Sequence, residues 1–125
     1  MEFERIKKKG RTWIIDIDGV IFEHNGYLAE MAGIETPLPG VKALFNHIPK
    51  EDVIVLVTAR GSIYKENTIK SLDYNNIRFN YIIMDLPTGP RILINDTKPD
   101  GTKTAFSYNL PRDSGISPSL LEKII

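Results

Sequence analysis

Two aspartates one residue apart, Asp16 and Asp18, close an apolar run and are followed at once by Gly19. At the end of a strand, side chains at i and i+2 project from the same side, so the pair would share one face. Like charges that close repel, and a divalent cation or unequal pKa values is the usual means of keeping them together. The glycine lets the backbone turn away sharply and leaves room for a ligand to approach. Taken alone, the stretch reads equally well as an Asp-rich turn at a strand end. Two further apolar runs have polar tips: Val53-Ile54-Val55-Leu56-Val57 stops at Thr58-Ala59-Arg60-Gly61, and Ile92-Leu93-Ile94 stops at Asn95-Asp96. In open α/β sheets ligands bind outside the carboxyl ends of strands, so three carboxylates and a hydroxyl at such ends are candidates for one site.

The elements that must position these groups follow from pattern. Residues 13–17 are a continuous apolar run bounded by charge and glycine, as in a strand covered on both faces. Beyond Gly19, residues 20–23 and 27–30 flank His24-Asn25-Gly26, and Asn-Gly between such runs is the strongest short hairpin signal. The spacing predicts a β-hairpin flap over about 20–31, with His24 in its exposed turn. After Pro37-Leu38-Pro39-Gly40, residues Val41, Leu44, Phe45 and Ile48 follow the i, i+3, i+4, i+7 spacing of a helix with one apolar face, closed by Pro49. Residues 53–57 are a second strand. Strand, helix and strand make a βαβ unit, whose strands are parallel and right-handedly connected, which brings Asp16, Asp18 and Thr58 to one rim. A helix is expected over about 62–74 with Ser62 as N-cap, a third strand over 81–84, a fourth over 92–94 and a fifth over 104–108. Residues 85–91 are too few for a helical crossover between parallel strands, so the sheet either pairs antiparallel there or departs from regular alternation. Ser117-Pro118 sets the N-cap and first position of a terminal helix.

At 125 residues the chain is sized for a single domain, 1–125. Sixteen basic residues balance sixteen acidic ones, which argues against nucleic acid or an anionic membrane as a partner recruited by bulk charge. With no cysteine, any metal must sit among oxygens or the two histidines, which favours a hard cation such as magnesium. Residues 1–11 are charged, without the apolar centre of a signal peptide, and no stretch approaches a membrane span, so a cytoplasmic protein is expected. Lys7, Lys8, Lys9 and Arg11 read as a solvated lead-in to the first strand.

Ile15-Asp16-Ile17-Asp18-Gly19-Val20, then Val57-Thr58-Ala59-Arg60, then Asp96-x-x-x-Asp100 form an ordered set that resembles the haloacid dehalogenase-like superfamily of phosphohydrolases, over roughly residues 12–115. The resemblance implies that Asp16 is the nucleophile that takes the phosphoryl group, a role suited to a carboxylate because the acyl phosphate is readily hydrolysed. It implies Asp18 as general acid and then base, and Asp16, Asp96 and the backbone carbonyl of Asp18 as holders of magnesium. The Thr58 hydroxyl and Ala59 amide would bind phosphoryl oxygens, and Asp100 would stand in the metal's outer shell. Such proteins also place a Lys or Arg over the phosphoryl group. Similar small members often carry Lys-Pro before the last acidic motif, where this chain has Leu86-Pro87, so Arg91 is the expected substitute, with Lys98 and Arg60 as alternatives. Asn95-Asp96 also stands where a pair of aspartates is common.

The fold expectation is therefore α/β: a three-layer Rossmann-like domain with a mainly parallel central sheet, the flap after strand 1 and no cap domain, since neither stretch between motifs is long enough to hold one. By resemblance, capless members act on large substrates or close their sites with a neighbouring subunit, so a homo-oligomer that covers the site fits. The function expected is a magnesium-dependent phosphatase acting on a phosphomonoester, a sugar phosphate in particular, through an aspartyl phosphate. The departures at 86–87 and 95 keep open a catalytically silent module that binds a sugar phosphate or a protein. A phosphorylation-dependent receiver domain, with Asp85 as acceptor, is the third reading.

Overall fold

Three of the apolar runs become strands here and the strongly amphipathic stretch after Gly40 becomes a helix. The computed structural model describes residues 10–25 and 33–125. Within them lie β1 (Thr12–Asp16), α1 (Val41–His47), β2 (Val53–Val57), a 3-10 turn (Ser62–Tyr64), α2 (Lys65–Tyr74), β3 (Tyr81–Ile83) and α3 (Pro118–Ile124). The class is α/β, built on an open three-stranded parallel sheet of order β1-β2-β3. Among the described residues no helix is long and apolar enough to cross a membrane.

Both crossovers step the same way across the sheet. Right-handed connections then put α1 and α2 on one face. Burial agrees: Ile15, Ile54 and Leu56 on that face share a single core with Val41, Leu44 and Phe45 of α1 and Leu72 of α2. Ile54 and Leu56 are fully buried, each contributing about 1.5–3 kcal/mol relative to exposure. Partly buried Leu120, Leu121 and Ile124 of α3 pack on the same core. The opposite face carries Ile14, Tyr81 and Ile83, which are 55%, 63% and 45% exposed. β1 is thus covered on one face rather than two, because the described elements pack on one side of the sheet.

Three other sequence expectations differ. Residues 92–94 and 104–108 form no strand; they belong to an exposed two-legged arm. Ser62 does not cap the second helix through its own side chain; instead the Asp85 carboxylate, arriving from beyond β3, accepts the Ser62 N–H at 2.9 Å. Residues 20–22 form a tight turn in place of a flap strand, with Ile21 N–H and Phe22 N–H both bonded to Ile17 O (2.9 and 3.0 Å), because Ile21 and Phe22 are drawn wholly into the core. The remainder of the expected flap, 26–31, lies outside the described residues. The predicted terminal helix forms as expected: Ser117 Oγ accepts Leu120 N–H at 3.2 Å and Pro118 opens α3.

The start of β1 is held by one buried acid. Asp52, 4% exposed, accepts the Arg11 N–H (3.0 Å), the Arg11 Nε–H (3.2 Å) and the Trp13 indole N–H (2.8 Å). Burial alone would raise its pKa, but the Trp13 and Arg11 bonds outweigh it and hold the carboxyl below its ordinary range. A depressed carboxylate pKa gives stability that is present above the ordinary value of about 3.9 and lost as pH falls through the lowered one. Asp52→Ala should therefore reduce unfolding free energy at pH 7 by about 2 kcal/mol, read by urea denaturation. The gap between variant and wild type should narrow as the titration is carried below pH 4.

Candidate functional site

The carboxyl ends of β1 and β2 form a rim, and the turn after β1 lies on it. Gly19 has φ +85 and donates its N–H to Phe22 O at 2.7 Å, a left-handed conformation that suits glycine. A Cβ at Gly19 would lie 3.2 Å from Arg112 Cγ, so the glycine also lets that arginine approach. The loop bearing Arg112 is tied to the same turn: Asp113 N–H donates to Gly19 O (2.9 Å), and Asp113 Oδ1 accepts His24 N–H (2.7 Å). Between these parts opens a cavity of about 370 Å³ whose walls include Asp16, Asp18, His24, Ala59, Arg91 and Arg112.

The two aspartates have different partners. Asp16 is half-open to the cavity and faces Arg91 NH1 at 3.5 Å. Burial pushes its carboxyl above the ordinary range; Arg91 opposes this and the charge of Asp18 adds to it. Asp18 is turned inward, accepting the Thr58 hydroxyl at 2.8 Å and the Arg60 Nε–H at 3.0 Å. Arg60 is itself buried and forks onto Glu35, NH1 to Oε2 at 2.8 Å and NH2 to Oε1 at 2.9 Å, with Thr68 Oγ1 at 3.1 Å. Burial works against the guanidinium's charge, but Glu35 and Asp18 more than offset it and its pKa lies above the ordinary value.

The structure therefore brings Asp16, Asp18, Ala59 and Arg91 onto one cavity. Thr58 stands behind it, fully buried, its hydroxyl proton engaged by Asp18 and its oxygen accepting Arg60 N–H at 3.0 Å; in this arrangement it cannot also donate to a ligand in the cavity. Arg60, an alternative phosphate-binding residue by sequence, is turned away with its donors committed. Asp96, Lys98 and Asp100 lie exposed on the arm, whose tip is closed by Lys98 N–H to Thr102 O (2.9 Å) and Thr102 N–H to Asp100 Oδ1 (2.9 Å). Arg112 and Glu35 are absent from the expected set, and His24, read from sequence as an exposed turn residue, lines the cavity. Arg112 sits in a Pro-Arg-Asp loop that no local pattern distinguishes, and Glu35 is joined to Arg60 only by the folded chain.

A hard divalent cation takes oxygen ligands, commonly one or two carboxylates with retained waters. Asp16 offers one carboxylate, that of Asp18 is bound to Arg60 and Thr58, and no group of three or more acids or histidines able to hold a metal is formed among the described residues. Asp96, the other carboxylate that the resemblance assigns to magnesium, lies exposed on the arm. Compared with known families, curated proteins and solved structures, the chain matches none.

Two outcomes follow. Removing one partner of a buried ionic cluster leaves uncompensated charge, so Arg60→Met should destabilise by about 3–5 kcal/mol, measured by denaturant unfolding. A carboxyl whose pKa is raised by folding carries a cost that is absent below its ordinary value and complete above the raised one. Asp16→Asn should accordingly raise Tm in chelator-containing buffer at pH 7, by an amount worth under about 1 kcal/mol given solvent screening. The gain should vanish near pH 3.

Proposed function

We propose that the chain is a phosphomonoesterase of the haloacid dehalogenase-like kind, Rossmann-like in its core and cytoplasmic, acting on a sugar phosphate through an aspartyl phosphate. The observation that carries the reading is a carboxylate at the carboxyl end of β1, open to a cavity whose walls also hold two guanidiniums, Arg91 and Arg112. Such a pocket suits a phosphate dianion, because arginine binds phosphate in two-pronged fashion and offsets its repulsion from the attacking acid.

In the first half-reaction an Asp16 oxygen bonds to phosphorus as the ester P–O bond breaks, and the leaving oxygen takes a proton from Asp18. In the second, water attacks phosphorus, the bond to Asp16 breaks, and Asp18 receives the water's proton, which restores both carboxyls. For this Asp18 turns from Arg60 toward the cavity it already lines. Ala59 and Arg91 hold the phosphoryl oxygens, and Arg112 joins them. Magnesium belongs to the expected chemistry, where Asp16 would be one of its ligands, and Asp96 stands on the exposed arm.

Asp96 standing away from the cavity favours a second reading, a silent module that binds a sugar phosphate or a protein. The receiver reading draws no comparable support, since Asp85 caps the turn at Ser62.

Phosphate release from a panel of sugar phosphates and nucleotides, with magnesium added, separates these. Wild type should turn over and Asp16→Asn should lose at least a thousandfold of kcat, while Arg91→Ala and Arg112→Ala should raise KM. Equal rates for wild type and Asp16→Asn would remove the phosphatase reading; calorimetric binding of a sugar phosphate without turnover would favour the silent module.

A further inference from the structure

Two parts of one copy stand without a partner among the described residues. The outer edge of β1 bears no strand among the described residues, because the sheet order begins with it. The arm over residues 92–109 exposes Ile92 (85%), Leu93 (58%), Ile94 (90%), Phe106 (71%) and Tyr108 (47%). Its legs meet near the tip, where Thr97 pairs with Lys103 and Asn95 Nδ2 donates to Thr104 Oγ1 at 2.7 Å. An apolar strand in solvent and an open strand edge are both liabilities that proteins normally cover.

The chain's own path prevents the arm from covering its own β1 in the useful sense. β3 runs parallel to β1 and ends at the rim. The chain then stays there: Asp85 N–H donates to Arg60 O (2.8 Å), Leu86 N–H to Thr58 O (3.1 Å), and Arg91 reaches Asp16 at 3.5 Å. A strand parallel to β1 that ends at Asp96 on the rim must begin roughly 16 Å away, at the far end of the sheet. Ile92 instead follows directly on Arg91, whose side chain reaches Asp16 at that rim.

We propose that two copies exchange arms, so that residues 92–96 of each run parallel along the open β1 edge of the other and deliver Asp96 beside that copy's Asp16. A two-fold axis perpendicular to the strands sets the copies side by side with their β1 strands antiparallel. The rim of each then adjoins the far end of the other. An arm leaving one rim starts at the far end of the second copy's β1 and climbs to its rim, and the same operation seats the other arm. The arms meet antiparallel and join two three-stranded sheets into one. Ile14, Ile92, Leu93, Ile94, Phe106 and Tyr108 from both copies would bury on the order of 1,200 Å² in all, the lower bound of a stable interface.

The exchange brings further groups to the rim. Asp96 of the second copy with Asp16 gives the two carboxylates that suit a hard divalent cation, and Lys98 of the second copy adds a cation to the phosphate pocket. The ligand assignment rests on the phosphatase reading; the exchange of arms does not.

The chain has no cysteine, so a double variant Ile14→Cys, Ile94→Cys reports the pairing directly. Light scattering on wild type should give the mass of two chains, and the oxidised double variant should run as a covalent dimer that reduction separates. A monomeric wild type, or a disulfide closed within one chain, would overturn the exchange. Activity gives an independent measure when Asp16→Asn and Asp96→Asn chains are unfolded together and refolded as a mixture. Exchange leaves one intact site in each mixed pair and restores about a quarter of wild-type turnover in a two-fold assembly. No restoration, with an active wild type, means that each copy uses its own Asp96 and also overturns it. A covalent dimer with no turnover by wild type on any phosphoester keeps the exchange and removes the phosphatase reading alone.

Discussion

One buried guanidinium holds the site together. Arg60, with its side chain 3% exposed, joins Asp18 at the end of β1, Glu35, Thr68 of α2 and, through its backbone, the segment after β3. Four stretches of chain thus converge on a single residue at the tip of β2. Burying a charge is costly unless it is paired and its hydrogen bonds are satisfied. Here the forked contact to Glu35 and the bonds to Asp18 and Thr68 occupy the donors, and no buried side-chain nitrogen or oxygen lacks a partner among the described residues. Such a cluster contributes orientation more than net stability, since an apolar replacement of the whole cluster can be neutral while removal of one member is not.

The same residue answers the question posed by two carboxylates one position apart. Their repulsion is relieved by giving each its own guanidinium: Arg91 for Asp16 at the cavity wall, Arg60 for Asp18 behind it. The environments differ accordingly. Asp16 is partly desolvated with a raised pKa, and Asp18 is fixed by charge-assisted bonds. The two acids are thus held in unlike surroundings, one open to the cavity and the other bound behind it. The arrangement also explains why Thr58 and Arg60, both attractive phosphate binders on paper, are spent on positioning.

What was legible from the residues was local. The helix at Val41 shows in its apolar spacing, the terminal helix in Ser117-Pro118, and three strands in their apolar runs, because periodicity and capping act within a few residues. What was not legible depends on partners distant in sequence. Asp85 displaces Ser62 as a cap across 23 positions, and Glu35 claims Arg60 across 25. Arg112 reaches the cavity because Asp113 is bonded to the turn at Gly19 and His24, a contact with no counterpart in composition or spacing.

The run at 92–94 has strong strand propensity and yet forms no strand within one copy, so propensity is not what fails there. Strand formation needs an edge to pair with and an apolar surface to pack on, and the direction of approach decides whether the edge can be reached. Because residues 85–91 remain at the rim, the fourth apolar run starts where a parallel neighbour of β1 should finish. The sequence pattern for a fourth strand and the path of the chain are reconciled when the strand and its edge come from different copies, as in the exchange of arms proposed above. In that arrangement a carboxylate at the end of such a strand reaches a rim other than its own.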